Sequence, residues 1–264
     1  MTFKALDKFS NRLIHGITLR HGGASTGIYS SLNLRCVGKD SIKNVLKNKD
    51  IICKNLLLDN KKVYKAKQNH TDNILILNNE NKEKYKYENY NLEEYDAYII
   101  ADDNISNFVT TADCNPIIIY DTKQNIVANV HAGWKGVLSK IYLKTLKVLV
   151  DKFNSKVEDL IVCIGPSIRK CCFSSKDEKF KQEFTKIWKN EEKYISYEED
   201  LKTFHIDLIY VIKEDLIKFG VLNDNIQVAN ICTCCNNFDF YSYRFATKNK
   251  QKDYATFSTW VSLK

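Results

Sequence analysis

Methionine, proline, histidine and arginine are all scarce in this chain, and each shortage excludes something. The 264 residues hold one methionine, Met1, and five histidines. A blue-copper centre takes its long axial ligand from methionine, and several coppers need many imidazoles. A multicopper oxidase in one chain does not fit this composition. With two prolines, nine glycines and no Ser/Gly/Pro-rich stretch, nothing reads as a linker, and a single domain over 1–264 is expected. No apolar run approaches the roughly 20 residues of a membrane span. The N-terminus, MTFKALDKFSNRL, lacks the apolar segment of a secretory signal. A cytoplasmic protein without a membrane partner is expected.

Of the 40 basic residues only Arg12, Arg20, Arg35, Arg169 and Arg244 are arginine. The net charge of +8 therefore rests on lysines scattered among Asn, Ile and Tyr, without a basic stripe interleaved with aromatics. That pattern describes a solvated surface and no nucleic-acid partner. Where lysine is the default cation, an arginine marks a place for a planar, bidentate fork. The nine cysteines are odd in number and come without a secretion signal. They are expected as thiols or metal ligands, most of them small core side chains, and not as a disulfide framework.

What is present concentrates in residues 110–136, TTADCNPIIIYDTKQNIVANVHAGWKG. Two β-branched runs read as strands. Cys114 stands just before the first, with Pro116 biasing Asn115 away from helix, and His131 stands at the end of the second. A helix over 137–153 follows, with apolar residues at i, i+3 and i+4. Its free first-turn amides, beside the histidine, suit an anion.

Elsewhere, 12–20 reads as a strand leading into a loop over 24–34 that carries Arg20, Ser25, Ser31 and Asn33 among Gly22, Gly23 and Gly27. Polar side chains over such a backbone suit an anion or sugar. Helical spacing over 41–58 starts at Ser41 as N-cap. Residues 62–67 and 73–77 alternate like a pair of strands around a turn with His70, and 78–94 reads as an exposed excursion before a strand over 96–101. A strand over 159–164 precedes helices over 176–188, capped by Ser175, and 205–219, ended by Gly220. A strand over 227–231 then precedes paired strands over 240–245 and 254–261. Strands and helices mix without strict βαβ alternation, which predicts an α+β fold.

Three kinds of site compete on residues alone. One is a metal held by Cys114, His131 and a further histidine with an open position, suiting zinc or copper. Another is a Cys–His hydrolase with Cys114 as nucleophile and His131 as base. The third is a structural zinc on Cys232, Cys234, Cys235 and the Cys171–Cys172 pair. It ranks last, because adjacent cysteines and a C-x-C-C run depart from ordinary knuckle spacing.

The set LRHGGASTGIYSSLNL, KQNH, DAYIIA, TTADCNPIIIYD, VHAGWKG, IGPSI-x-x-CC and CT…FYSYR, in order from about residue 12 to about residue 260, closely resembles the YfiH/YlmD family. That family has long been labelled polyphenol oxidoreductase or laccase-domain protein. The resemblance implies a sandwich of mixed sheets flanked by helices. It also implies a zinc-dependent purine nucleoside phosphorylase that deaminates adenosine and cleaves methylthioadenosine, with nucleosides and phosphate as partners and copper as the alternative metal. By position, His70, Cys114 and His131 match the metal ligands, and Asp113 sits beside the metal. Arg20 matches a phosphate or ribosyl contact, while Asn33 and Arg244 match substrate-loop positions; Arg20, Asp113 and Cys114 form the implied catalytic set. Two departures stand out: Lys39 is inserted after Val37-Gly38, and 247–252 lacks an arginine found there in many members. A copper phenol oxidase and a non-catalytic zinc-binding member of the fold are the other readings.

Overall fold

The computed structural model describes residues 1–89 and 91–264. Tyr90, inside the excursion read over 78–94, lies outside the described residues. The strands are β1 Leu13–Ile17, β2 Val63–Tyr64, β3 Ile74–Leu77, β4 Ala97–Ile100, β5 Ser106–Thr111, β6 Asn115–Asp121, β7 Ile126–Ala132, β8 Leu160–Ile164, β9 Ser174–Ser175, β10 Ile195–Glu198, β11 Thr203–Ile206, β12 Ile226–Val228 and β13 Phe257–Leu263. The helices are α1 Lys4–Asp7, α2 Ile42–Asn55, α3 Trp134–Leu138, α4 Ile141–Phe153, α5 Glu178–Thr185, α6 Leu208–Phe219 and α7 Tyr243–Lys248.

Two mixed sheets form the sandwich. Six strands run in the order β12-β8-β6-β7-β4-β3 and four in the order β1-β13-β5-β2; β10-β11-β9 form a small third sheet. The run IIIY in β6 is apolar on both faces because both faces are covered. Ile117 and Ile119 join Leu146, Leu149 and Val211 on the side of α4 and α6. Ile118 and Tyr120 instead join Val109, Phe257 and Val261 of the four-stranded sheet. Each fully buried isoleucine contributes about 1.5–3 kcal/mol of burial free energy. The outer face of the four-stranded sheet is closed by α2, where Ile52 and Cys53 pack with Phe108 and Trp260. Those two rings lie opposite each other across β5 and β13 and stack 4.4 Å apart. The expected α+β sandwich flanked by helices is the observed fold. Among the described residues no helix is long and apolar enough to cross a membrane.

Several local expectations change. β2 and β3 do not pair: β2 runs parallel to β5 in one sheet and β3 parallel to β4 in the other. Tyr85 and Tyr87 in the polar excursion are buried, so that segment is a packed cover. The helix read over 137–153 is two helices, because Lys140 takes a left-handed conformation at φ 57°. Residues 240–245 do not make a strand: Ser242 accepts the Phe245 N–H and caps α7. The alternating aromatics fit either period, and a cap signal outweighs alternation over so short a run. Asp177, not Ser175, caps α5, and Ser41 begins α2 without a side-chain cap bond.

Candidate metal centre

Residues 112–114 carry the chain from β5 in one sheet to β6 in the other. Asp113 makes the bend at φ 89°, a conformation that side-chain-bearing residues rarely adopt. Its own side chain anchors it. Oδ1 accepts the Thr233 hydroxyl and Oδ2 the Arg244 backbone N–H, each at 2.6 Å, while its carbonyl accepts the Ile168 N–H. Burial raises the Asp113 carboxyl, against the pull of these donors. Cys114 is thereby presented at the lip of the sandwich, where β6 restarts at Asn115.

His131 lies on β7, two and four residues beyond Asn129 and Val127, so all three share one sheet face. Val127 packs in the sandwich core, and Asn129 reaches the Asn107 side chain and the Thr259 carbonyl of the four-stranded sheet. His70 comes from the turn between β2 and β3, with φ 58°. Gln68 straps that turn to β5, exchanging hydrogen bonds with the Thr110 N–H and carbonyl. The ligand atoms of His70, Cys114 and His131 lie within 4.8 Å of one another. The two imidazole rings are 4.9 Å apart at 63°.

Asp96, one residue before β4, organises both histidines. Its Oδ1 accepts from His131 Nδ1 at 2.6 Å and from the His70 N–H at 3.2 Å. Its Oδ2 accepts from Thr71 N–H, Thr71 Oγ1 and Asn69 N–H. One carboxylate thus sets the His131 tautomer, leaving Nε2 for the Cys114 side, and pins the His70 turn. Burial opposes ionisation of Asp96, but His131 and the Thr71 donors outweigh it and hold the carboxyl at about 2. Burial also lowers His131, yet Cys114 and Asp96 together bring it up to about 9. His70 goes the other way, down to about 4, through burial and the neighbouring His131. The site favours a positive charge between the sulfur and the carboxylate, which a divalent cation can supply.

Gly133 completes the cradle. A Cβ there would stand 2.4 Å from His70 Nδ1 and 3.1 Å from Cys114 Sγ, so no other residue leaves that space free. Two imidazoles and a thiolate, with His70 on the exposed side, are a donor set that fits zinc with one position open. Sequence reasoning placed Asp96 only as a strand start and Gly133 only beside a helix start. The available signals were an acid abutting a wholly apolar strand and a glycine two residues after a ligand.

The remaining expected site residues lie around two neighbouring loops. Arg20 stacks on Tyr241, 4.6 Å from the ring centroid. Its Nε and Nη2 donate to the Ser30 carbonyl and its Nη1 to the Asn237 carbonyl. Gly23 admits no side chain, since a Cβ would meet the Ser31 carbonyl at 2.1 Å. Asn33 is fully buried and braces this loop: Nδ2 donates to Asp40, and Oδ1 accepts from the Arg35 and Thr256 amides. Arg244 reaches Asp113 through its backbone N–H, while its Nη1 holds the Cys172 and Ser174 carbonyls. His15, His21 and His205 are engaged elsewhere, with the Phe3 amide, Asp239 and Glu198. Clefts of about 370 and 290 Å³, near Tyr95 and near Trp188, include no member of the triad.

A purine nucleoside phosphorylase of Clostridium acetobutylicum is 32% identical over 248 residues, covering 92% of this chain and 93% of its own. An adenosine deaminase, RL5, from an unknown prokaryotic organism is 28% identical over 223 residues, covering 82% of each. The crystal structure of the Bacillus licheniformis hypothetical protein YfiH superimposes with a TM-score of 0.87 at 24% identity, covering 96% of this chain and 93% of that one. That likeness concerns the fold. The family model described as multi-copper polyphenol oxidoreductase laccase matches residues 14–258, and the chain belongs to that family.

Proposed function

We propose that the chain is a zinc-dependent purine nucleoside phosphorylase acting on adenosine, inosine or methylthioadenosine, with adenosine deamination as a second activity. The observation that carries this reading is the convergence of His70, Cys114 and His131 around one carboxylate, Asp96. It occurs in a chain that matches a named phosphorylase over nearly its whole length. In phosphorolysis a phosphate oxygen forms a bond to C1′ as the bond from C1′ to the purine nitrogen breaks. The electron pair leaves with the base, which takes up a proton, and the sugar 1-phosphate remains. In deamination, water adds at C6 of adenine and ammonia leaves.

The Arg20 guanidinium and the nearby loop amides would hold the phosphate, placing fixed positive charge where the anion must sit. Asn33 would serve by keeping that loop in shape. Asp113 is a positioning residue, since both its oxygens already accept hydrogen bonds. Arg244 contributes its amide to the same carboxylate, and its side chain would border the substrate. His70, Cys114 and His131 would hold the metal. When bound, zinc supplies Lewis acidity and lowers the pKa of water to about 7. Two imidazoles at the site, and three histidines engaged elsewhere, speak against several coppers. Residues 1–264 would act as one catalytic domain. Nine free thiols suit a reducing, cytoplasmic setting.

The test is elemental analysis of the same sample assayed for base release with and without phosphate. Zinc together with phosphate-dependent release is expected. Copper with oxygen consumption on a phenol and no base release would overturn the reading. So would activity that survives chelation but is lost to a thiol alkylator, as a Cys–His hydrolase requires. Stoichiometric zinc without turnover would leave a binding protein.

A further inference from the structure

Away from the triad, the loop after β8 meets the loop after β12. Ser167 bridges to Cys232, and the Thr233 N–H donates to the Ser167 carbonyl. At this junction the sulfurs of Cys171, Cys172, Cys232 and Cys235 lie within 4.8 Å of one another. Cys234, which the sequence grouped with them, is not in the set. The pair that contributes from the second loop is Cys232 and Cys235, a C-x-x-C spacing hidden inside the C-x-C-C run.

We propose that these four cysteines form a second metal site, a structural tetrathiolate zinc that ties the two loops together. With Zn–S near 2.3 Å, a regular tetrahedron has sulfur–sulfur edges of about 3.8 Å. The Cys171–Cys235 and Cys172–Cys235 separations are 3.7 and 3.4 Å. They are too long for the S–S bond of about 2.05 Å in a disulfide, and an iron–sulfur cluster would hold its thiolates further apart. Cys172 and Cys232 are buried while Cys171 and Cys235 are exposed, which gives an ion a route in.

Two further features fit a thiolate-rich centre. The backbone N–H groups of Cys235 and Arg169 lie near enough to the Cys232 sulfur to favour its thiolate, the kind of outer support that orients metal ligands. Arg169, one of the five arginines, is largely buried. Its Nη2 holds the Gly165 and Ala229 carbonyls, but among the described residues the buried Nε and Nη1 have no accepting partner. Asp207, Cys232 and Cys171 are the neighbours that favour its charge. Zinc with four thiolates carries a net charge of −2, and this guanidinium offsets part of it. The site would also brace the metal centre of the triad, because Thr233 lies between Cys232 and Cys235, and Arg244 holds the Cys172 carbonyl.

The experiment is metal counting by elemental analysis on anaerobically purified full-length chain, with three proteins compared. Two zinc ions per chain are expected for the unmodified protein. One is expected after His70→Ala/Cys114→Ser, and one after Cys171→Ser/Cys235→Ser. Cobalt loaded into His70→Ala/Cys114→Ser should show tetrahedral bands with sulfur-to-cobalt charge transfer. This measurement holds even if the cysteine double variant fails to fold. A folded His70→Ala/Cys114→Ser protein that binds neither zinc nor cobalt overturns the proposal. A Cys172–Cys235 disulfide in the anaerobic protein, or a ferric-thiolate spectrum, does so as well. Failure of the triad as a metal site would instead leave one zinc per chain that His70→Ala/Cys114→Ser retains.

Discussion

Replacing Asp96 by asparagine tests the organisation of the triad without touching a ligand. The carboxylate accepts five hydrogen bonds, and an amide cannot accept all of them. With the amide nitrogen in the Oδ1 position, it opposes the His70 N–H and forces His131 to accept at Nδ1. The His131 proton then moves to Nε2, the nitrogen facing Cys114, and the ligand is lost. With the nitrogen in the Oδ2 position, His131 keeps its tautomer, but the Asn69 and Thr71 amides lose their acceptor. The second arrangement costs less, because those amides are partly open to water. Leaving such donors unsatisfied costs about 1–3 kcal/mol, a Tm lower by about 2–10 °C for a chain of this size. Loss of the support for two ligands should weaken zinc binding by about 10- to 100-fold. Competition against a chromophoric chelator reads the affinity, and calorimetry of the metal-free protein reads the stability. An Asp96→Asn protein with unchanged zinc affinity and unchanged Tm would refute the reasoning.

Gly133→Ala should force His70 out of the cradle. Overpacking of this kind costs about 1–3 kcal/mol, or about 5- to 150-fold in zinc affinity, measured by the same competition with circular dichroism as the control for folding. Arg20→Lys removes the planar fork between the Ser30 and Asn237 carbonyls. The KM for phosphate should rise by about 10- to 100-fold, the equivalent of one charge-assisted hydrogen bond, in initial-rate assays at varied phosphate. Asp253 carries a pH prediction. Burial raises its carboxyl, but the Lys39 amide, the Tyr29 hydroxyl and Arg35 outweigh this and hold it at about 2. A depressed folded value stabilises above the ordinary carboxyl pKa of about 3.9 and is lost as pH falls toward 2. Urea unfolding of Asp253→Asn should therefore show a flatter acid limb than the unmodified chain between about pH 5 and pH 2.

Composition, periodicity and motif determined much by themselves. The apolar runs of β6 and β7, the amphipathic spacing of α4 and the absence of a linker made the α+β fold legible, because burial on two faces leaves a mark in local sequence. Cys114 and His131 stood out at the ends of two apolar runs, but His70 was legible only through resemblance, since 44 residues separate it from Cys114 and no local spacing encodes a site built across two sheets. Tertiary structure alone decided that β2 and β3 serve different sheets, that Ser242 caps a helix and that Asn33 is a buried brace. It also decided that Asp96 holds His70 and His131 at once and that Gly133 must lack a side chain. Four cysteines from two loops, some 60 residues apart in sequence, meet for the same reason. A sequence records what each residue prefers of its immediate surroundings, while a shared carboxylate, a forbidden Cβ and a cluster of sulfurs are facts about distant segments brought within a few ångströms by the packing of the sandwich.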